Sequence, residues 1–340
     1  MVIDYYCFVM NAFGQNDYSE MKARNGSHIF GNLNFDINIA RNIGKFAVFC
    51  KETGRFYDSN WNELSLKDKR VLLRCIIPDE KIAFDALEAE GANLVSTRED
   101  HKKIMNWASY INPMYREINS STYGEFIRNF ENYQEKYGRV FFKTKQKHIS
   151  CEVKGVVALK GSVFSEITGD DDIGKTVEHD SNTQEFSSSS YIVFTNKYNH
   201  SNDFRFNFLD KTTEVYVQPC LEIVKDEEFS HIPVEYRSFV VDGKFVSSRS
   251  WIPNRCVPEE VKEITQKFID ALPESMSKTF VIDILQFVDK DGNKHYDLCE
   301  LNPITSSGYE QGSTIFVLED LPNNVKYYIP EAEDEDDMLM

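Results

Sequence analysis

Phe280-Val-Ile-Asp-Ile-Leu-Gln-Phe-Val-Asp-Lys-Asp-Gly-Asn-Lys-His-Tyr-Asp-Leu-Cys-Glu-Leu-Asn-Pro303 sets two apolar runs on either side of Asp289-Lys-Asp-Gly-Asn293. Asp291-Gly292 is a strong signal for a tight β-hairpin turn. With those two residues as the loop, Lys290 faces Asn293, Asp283 faces Glu300, and Val281 faces Asn302. Side chains alternate along a strand, so Asp283, Glu300 and Asn302 project from one face. Two carboxylates roughly 5 Å apart repel by about 3 kcal/mol at an effective dielectric near 20. A cation removes that penalty, and three hard oxygen donors suit Mg²⁺ carrying the phosphates of a nucleotide. The alternative is a solvated face with a longer, register-shifted turn. Against it, Phe280, Ile282, Ile284, Leu285 and Phe287 make both faces of the first strand apolar.

A chain of 340 residues can bury a large core in two or three domains. A net charge of −17 disfavours a general nucleic-acid or anionic-membrane binder. Part of that excess sits in Glu331-Ala-Glu-Asp-Glu-Asp-Asp337, which reads as a disordered or contact tail. The seven cysteines are scattered and odd in number, without CxxC spacing, as expected of reduced thiols. No basic stretch precedes an apolar run, and no apolar run reaches membrane-spanning length. The expectation is a soluble cytoplasmic protein.

Ile3–Met10 reads as a buried strand. From Asn11 to Lys69 the pattern is poor, with Phe46–Cys50 its clearest strand. Val71–Ile77 is a second buried strand closed by Pro78. A helix follows with Ile82, Ala83, Ala86 and Leu87 on one face and Gly91 past its end. Leu94-Val95 then completes a βαβ unit. A helix from Thr97 carries Ile104, Trp107, Ala108 and Ile111 and stops at Pro113. Thr122 with Glu125 forms a capping box for another, with Phe126, Phe130, Tyr133 and Tyr137 buried and Gly138 as its stop.

Val140–Lys147 is a strand in which Lys143 follows two phenylalanines, either an edge guarded by lysines or a phosphate contact. Gly169-Asp-Asp-Asp-Ile-Gly-Lys-Thr176 matches the Walker A pattern, but no helical periodicity follows it. Its three aspartates would also point at the phosphates. A mobile loop over Thr168–Ser190 is the better account. Val215–Ile223 is a strand that Pro219 breaks out of its sheet. A second hairpin turns at Asp242-Gly243, which sets Val241 opposite Lys244, Arg237 opposite Ser248, and Tyr236 opposite Arg249. That register puts Arg237 and Arg249 on opposite faces. Pro258 opens a helix with Val261, Ile264, Thr265, Phe268 and Leu272 along one stripe.

These pieces in this order resemble the ATP-grasp family: a small α/β domain, a strand lysine, a linker strand, and a hairpin ending in Glu300-Leu-Asn302-Pro303. More narrowly they are similar to its cell-division-cycle-123-like branch and the phage and bacterial relatives in the clade marked by arginine and lysine exchanges. Phe142-Lys143, Glu235-Tyr236-Arg237, Ser248-Arg249 and the terminal acid-x-asparagine-proline carry that likeness over roughly Val71 to Leu321. It implies that Lys143 touches ATP phosphates. It also implies that Gln218, Pro219, Cys220 and Leu221 line the adenine pocket with Glu222 near the ribose. Arg237 and Arg249 would contact phosphate or substrate, and Asp283, Glu300 and Asn302 would hold Mg²⁺. The chain departs from the family in lacking a glycine-rich lid after Lys143, and Gln218 stands where the nearest branch tends to have arginine.

The expected fold is α/β to α+β with ATP-grasp architecture. Residues 1–118 would form an N-terminal α/β domain, 119–217 the lysine-bearing subdomain, 218–330 the subdomain with the metal hairpin, and 331–340 an acidic tail. The resemblance implies a Mg²⁺- and ATP-dependent carboxylate–amine ligase acting through an acyl phosphate. Thr305–Gly312, with two glycines and the hydroxyls of Ser306, Ser307 and Tyr309, reads either as a pocket beside the transferred phosphate or as a polar loop returning to a strand at Ile315–Leu318. The other class is an ATP-binding assembly factor that docks a protein partner.

Overall fold

The computed structural model describes residues 3–18, 29–145, 150–159, 190–195, 210–228, 232–250 and 255–307. Lys147, the Walker-like segment, Tyr309, the strand expected at Ile315–Leu318 and the acidic tail lie outside the described residues. The chain forms a mixed α/β fold with three sheets. It divides into two units, Met1–Ile111 with Ile223–Met340, and Asn112–Glu222.

The first unit opens with β1 (Tyr5–Met10), α1 (Ile29–Asn42), β2 (Phe46–Cys50), β3 (Arg55–Tyr57), β4 (Arg70–Leu73), α2 (Glu80–Glu90), β5 (Asn93–Leu94) and α3 (Arg98–Met105). Their sheet has the order β3-β2-β1-β4-β5. β1, β2, β4 and β5 run parallel, and β3 is an antiparallel edge. Both faces are covered, which is why β1 and β2 read as unbroken apolar runs. Cys7, Val9, Ala47 and Phe49 pack with Ala83, Phe84 and Leu87 of α2. Tyr6, Phe8, Met10 and Val48 pack with Leu33, Ile37 and Ala40 of α1 on the other face.

Several sequence expectations shift here. β4 ends at Leu73, and Pro78 falls in a short 3-10 turn, Ile77–Asp79. The buried stripe of α2 is Ala83, Phe84 and Leu87, whereas Ile82 is exposed. Gly91 does end α2 in the left-handed conformation, at φ 78. Helix α1 lies inside the stretch that carried no clear pattern, because its asparagines and Gly31 depress helix propensity.

The second unit contains β6 (Asn119–Thr122), α4 (Tyr123–Arg128), α5 (Phe130–Tyr137), β7 (Val140–Thr144), β8 (Ser150–Leu159), β9 (Ser190–Thr195) and β10 (Glu214–Pro219). Its sheet order is β6-β10-β7-β8-β9. Thr122 and Glu125 form the expected capping box, but the expected single helix breaks at Asn129. Phe126, Phe130, Val140, Phe142, Val215 and Val217 form this unit's core.

The chain then returns to the first unit through β11 (Glu222–Ile223), β12 (Glu235–Val241), β13 (Lys244–Ser250), α6 (Glu259–Ala271), β14 (Phe280–Val288) and β15 (Lys294–Asn302). β12 pairs antiparallel with both β13 and β14, and β15 pairs with β14. Phe239, Val241, Val281 and Ile304 join the same apolar cluster as Tyr6, Phe8 and α1.

At the margin of that cluster Arg74 is wholly buried. Its Nε and Nη2 donate to Asp36 Oδ2 at 3.1 and 2.8 Å, and its Nη1 donates to the carbonyl of Ile304. Burial outweighs the nearby guanidinium and lifts the Asp36 carboxyl from 3.8 to about 6. A group with a raised folded-state pKa gives stability that is lost as pH rises through that value. Denaturant titrations of the wild type should therefore show a component falling between about pH 4 and 6, absent in Asp36→Asn. Arg74→Ala should destabilise the unit by about 3–5 kcal/mol, because it leaves Asp36 buried without its cation.

Candidate functional site

The expected opposition of Asp283 and Glu300, and of Val281 and Asn302, is present, but it is reached by a different route. The loop is one residue longer than a two-residue turn: Val288 faces Lys294, and the Asp289 N–H donates to the Asn293 carbonyl at 2.9 Å. Asp289 Oδ1 holds this loop by accepting from the N–H groups of Asp291 and Asn293, and Gly292 supplies the positive φ of 85. The register then shifts between Asp283 and Ile284, where Cys299 is the extra residue of β15. That bulge restores the pairing the shorter turn would have given.

The second hairpin does correct the sequence reading. Val241 faces Lys244, but the register shifts between Phe239 and Val240, with Val246 as the extra residue of β13. Beyond it Arg237 faces Arg249, and Tyr236 faces Ser250. Arg249 thus shares a face with Arg237, contrary to the unbroken alternation. Since Arg237 also faces Asp283, one row crosses four strands: Arg249, Arg237, Asp283, Glu300. The opposite face is sealed by α6, where Ser238 meets Ser248 at 2.9 Å and Thr265 at 3.4 Å.

Within the row Arg237 holds Asp283 in a fork, Nε to Oδ1 at 2.7 Å and Nη2 to Oδ2 at 2.8 Å. The Asp283 side chain is 1% exposed and that of Arg237 12%. Asn302 Nδ2 donates to Asp283 Oδ2 at 2.7 Å and to Glu300 Oε1 at 3.0 Å. Arg237 therefore performs the neutralisation of Asp283 that a metal ion was expected to perform. Among the described residues no group of three or more His, Cys, Asp or Glu forms a metal-holding cluster. The donors are two carboxylates and one amide, all hard oxygen ligands of the kind Mg²⁺ takes. By residue type they suit such an ion, while both Asp283 oxygens already accept from Arg237 and Asn302 turns its amide nitrogen to both acids.

The remaining candidates belong to the other unit. Lys143 is half-buried on β7, opposite Tyr216 on β10 and Ser150 on β8, on the face away from Phe142 and the core. Gln218 faces Phe141 on that same side, Pro219 ends β10, and Cys220 donates its N–H to the Arg139 carbonyl at 2.9 Å. Leu221 is half-buried and Glu222 exposed. Lys145 is paired with Glu214 at 3.0 Å and lies over the Tyr216 ring. Sequence reasoning missed Arg116, which is 7% exposed and donates its Nε to Gln218 Oε1 at 3.1 Å. It lies in irregular chain, and its partner is remote in sequence, so no periodicity marks it. Guanidinium chemistry thus reaches Gln218 from a different segment.

Ser306 and Ser307, expected beside a transferred phosphate, make hydrogen bonds within the chain. Ser307 Oγ donates to the Pro303 carbonyl at 2.6 Å, and Ser306 hydrogen-bonds Glu80. Among the described residues Cys7, Cys50, Cys75 and Cys256 are free thiols. Among the described residues no helix is long and apolar enough to cross a membrane.

No family model and no curated protein matches the chain. Among solved structures it is similar to D-alanyl-alanine synthetase A from Vibrio cholerae O1 biovar eltor, at 12% identity over 93% of this chain and 92% of that one, with a TM-score of 0.46. It is also similar to D-cycloserine synthetase DcsG, at 12% identity over 88% and 91%, TM-score 0.41. A third likeness is to the ATP-grasp ligase PsnB complexed with a precursor peptide and AMPPNP, at 12% identity over 90% of each chain, TM-score 0.39.

The buried fork makes a direct prediction. Arg237→Ala should lower stability by about 3–5 kcal/mol in denaturant unfolding, since it strands a buried carboxylate. Arg237→Ala combined with Asp283→Asn should recover much of that loss. Additive losses in the double variant would contradict an ion pair at this position.

Proposed function

We propose that the chain is a Mg²⁺·ATP-dependent carboxylate–amine ligase of the ATP-grasp kind. The observation that supports this reading is the row Arg249, Arg237, Asp283, Glu300, with Asn302 beside it. Neighbours in such a row are about 5 Å apart, and like charges directly opposite are destabilising. Two arginines stand side by side, and so do two acids. A single ligand matches both pairs if it offers anionic oxygens to the arginines and a bound cation to the acids. Metal-chelated polyphosphate is that ligand.

In this reading Glu300, Asn302 and Asp283 would hold a magnesium ion, which when bound neutralises phosphate charge. Arg237 and Arg249 would align the transferred phosphoryl group, and Arg237 is pre-positioned by its fork to Asp283. Lys143 would contact ATP phosphates, and Gln218, Pro219, Cys220, Leu221 and Glu222 would contact the adenine and ribose. A substrate carboxylate oxygen attacks the γ-phosphorus as the bond to ADP breaks. An amine nitrogen then bonds to the acyl carbon, inorganic phosphate leaves with the C–O electrons, and the amine loses a proton. The excess of acids over bases, 55 to 38, supports a small-molecule or protein substrate over nucleic acid.

Mg·ATP at roughly 100–1,000 times its dissociation constant should stabilise the wild type by about 3–4 kcal/mol. Glu300→Gln should lose most of that gain while unfolding normally without ligand. Lys143→Ala should weaken ATP binding by about 1.5–3 kcal/mol, the range for a hydrogen bond to a charged group. Lys175→Ala should change nothing. With pools of small carboxylates and amines, ADP release should require both co-substrates. Release that ignores the amine would contradict a ligase.

A further inference from the structure

The parallel sheet has its own ligand-ready edge. Its strand order changes direction at β1, which is followed by β2 on one side and flanked by β4 on the other. In open α/β sheets, ligands bind beyond the carboxyl ends of the strands at such a switch point. Near the carboxyl end of β1 the Tyr18 hydroxyl bonds the carbonyl of Val9 and accepts from the Val9 N–H at 3.1 Å, where β4 has already ended. Above it the chain leaving β4 presents Asp79 and Glu80 in succession.

Asp79 is 5% exposed. Its Oδ1 accepts from Lys51 Nζ at 2.7 Å, and Lys51 stands just past the end of β2. Its Oδ2 is buried with no hydrogen-bond partner among the described residues. A buried acceptor left without a donor carries a full desolvation penalty, so this oxygen is poised for an N–H or O–H from elsewhere. Glu80 is fixed from the other side. Its Oε1 accepts from Thr305 Oγ1 at 2.6 Å, and His101 Nδ1 lies 3.7 Å from Oε2. Burial, and after it the charges of Glu80 and Asp79, raise the pKa of the Cys75 thiol well above 9.0. Two acids and one partly exposed lysine leave a net negative edge, which selects a cationic guest.

Thr305 ties this edge to the candidate site. It lies just beyond Asn302, and its carbonyl accepts from the Cys75 N–H at 3.0 Å. We propose that Asp79, with Glu80 beside it, forms a subsite for a primary ammonium group at the carboxyl edge of the parallel sheet, the Asp79 Oδ2 accepting its N–H. Its place in catalysis, as the subsite for the amine co-substrate, rests on the ligase reading; ammonium binding itself does not.

The test uses the full chain and methylammonium chloride, with tetramethylammonium chloride as a cation of equal charge without N–H. Titration followed by NMR saturation transfer should show methylammonium binding and no tetramethylammonium binding. Asp79→Asn should weaken methylammonium at least tenfold, as loss of a hydrogen bond between charged partners predicts. Asp85→Asn, an exposed acid on α2 paired with Arg98, should leave it unchanged. Lys51→Met provides a change of opposite sign, and removing the competing cation should tighten methylammonium several-fold, which guards against a folding defect in Asp79→Asn. Equal binding of both cations, no binding, or unchanged affinity in Asp79→Asn would overturn the subsite and leave Oδ2 to a buried water. Mg·ATP stabilisation is measured on the same samples. If it persists when methylammonium fails to bind, only the subsite falls; if methylammonium binds without it, only the ligase reading falls.

Discussion

Side chains directly opposite on neighbouring antiparallel strands have no room to avoid one another, and this chain sets two guanidiniums and two carboxylates in one such row. The centre of the row resolves itself. Arg237 and Asp283 form a buried fork, so their attraction is screened less than at the surface. The outer members, Arg249 and Glu300, each face a like charge on the neighbouring strand. Burial on the reverse face holds this arrangement still, because α6 and the hydroxyls of Ser238, Ser248 and Thr265 fix the strands from behind. Side chains on rigid strands keep their spacing when a ligand arrives, which is the condition for electrostatic preorganisation.

The row is also anchored at its ends. The face that carries it continues into Phe239, Val241, Val281 and Ile304, which share an apolar cluster with the parallel sheet. Arg74 grips the Ile304 carbonyl and the Cys75 N–H grips that of Thr305, so the chain leaving Asn302 is bonded to the end of β4. Two sheets with different strand directions thus behave as one packed body at this point. Removing a cation there strands a buried acid rather than loosening a surface contact.

Most of the fold was legible because each cue had a local cause. Apolar runs around an Asp-Gly turn marked β14 and β15, a capping box marked α4, and Gly91 and Gly138 marked helix ends. The site was legible only partly, and for an instructive reason. At β14–β15 the turn is longer than Asp291-Gly292 alone implies, yet a bulge at Cys299 cancels the shift and Asp283 still meets Glu300. At β12–β13 the turn register is as read, and an uncancelled bulge at Val246 brings Arg249 round to Arg237. Val246 is buried in the shared cluster, so tertiary packing chooses that bulge and no period in the sequence records it. Arg116 stayed hidden because only the fold brings it to Gln218.

Three buried acids, Asp283, Asp36 and Asp79, each take one cation, and the differences among them separate structure from function. Asp283 has donors at both oxygens and lies in a row that continues outward to like charges. Asp36 is sealed with Arg74, both side chains wholly buried, and one of its oxygens lacks a donor. No guest can reach it, so the fold answers by raising its pKa toward the neutral acid. Asp79 also has an oxygen without a donor, but its lysine is 27% exposed and it follows the carboxyl end of β4. At Asp36 burial only lifts the pKa, to about 6, while the Asp79 Oδ2 is left for a donor from outside. Access, more than charge, decides which buried acid is a structural element and which is a binding group.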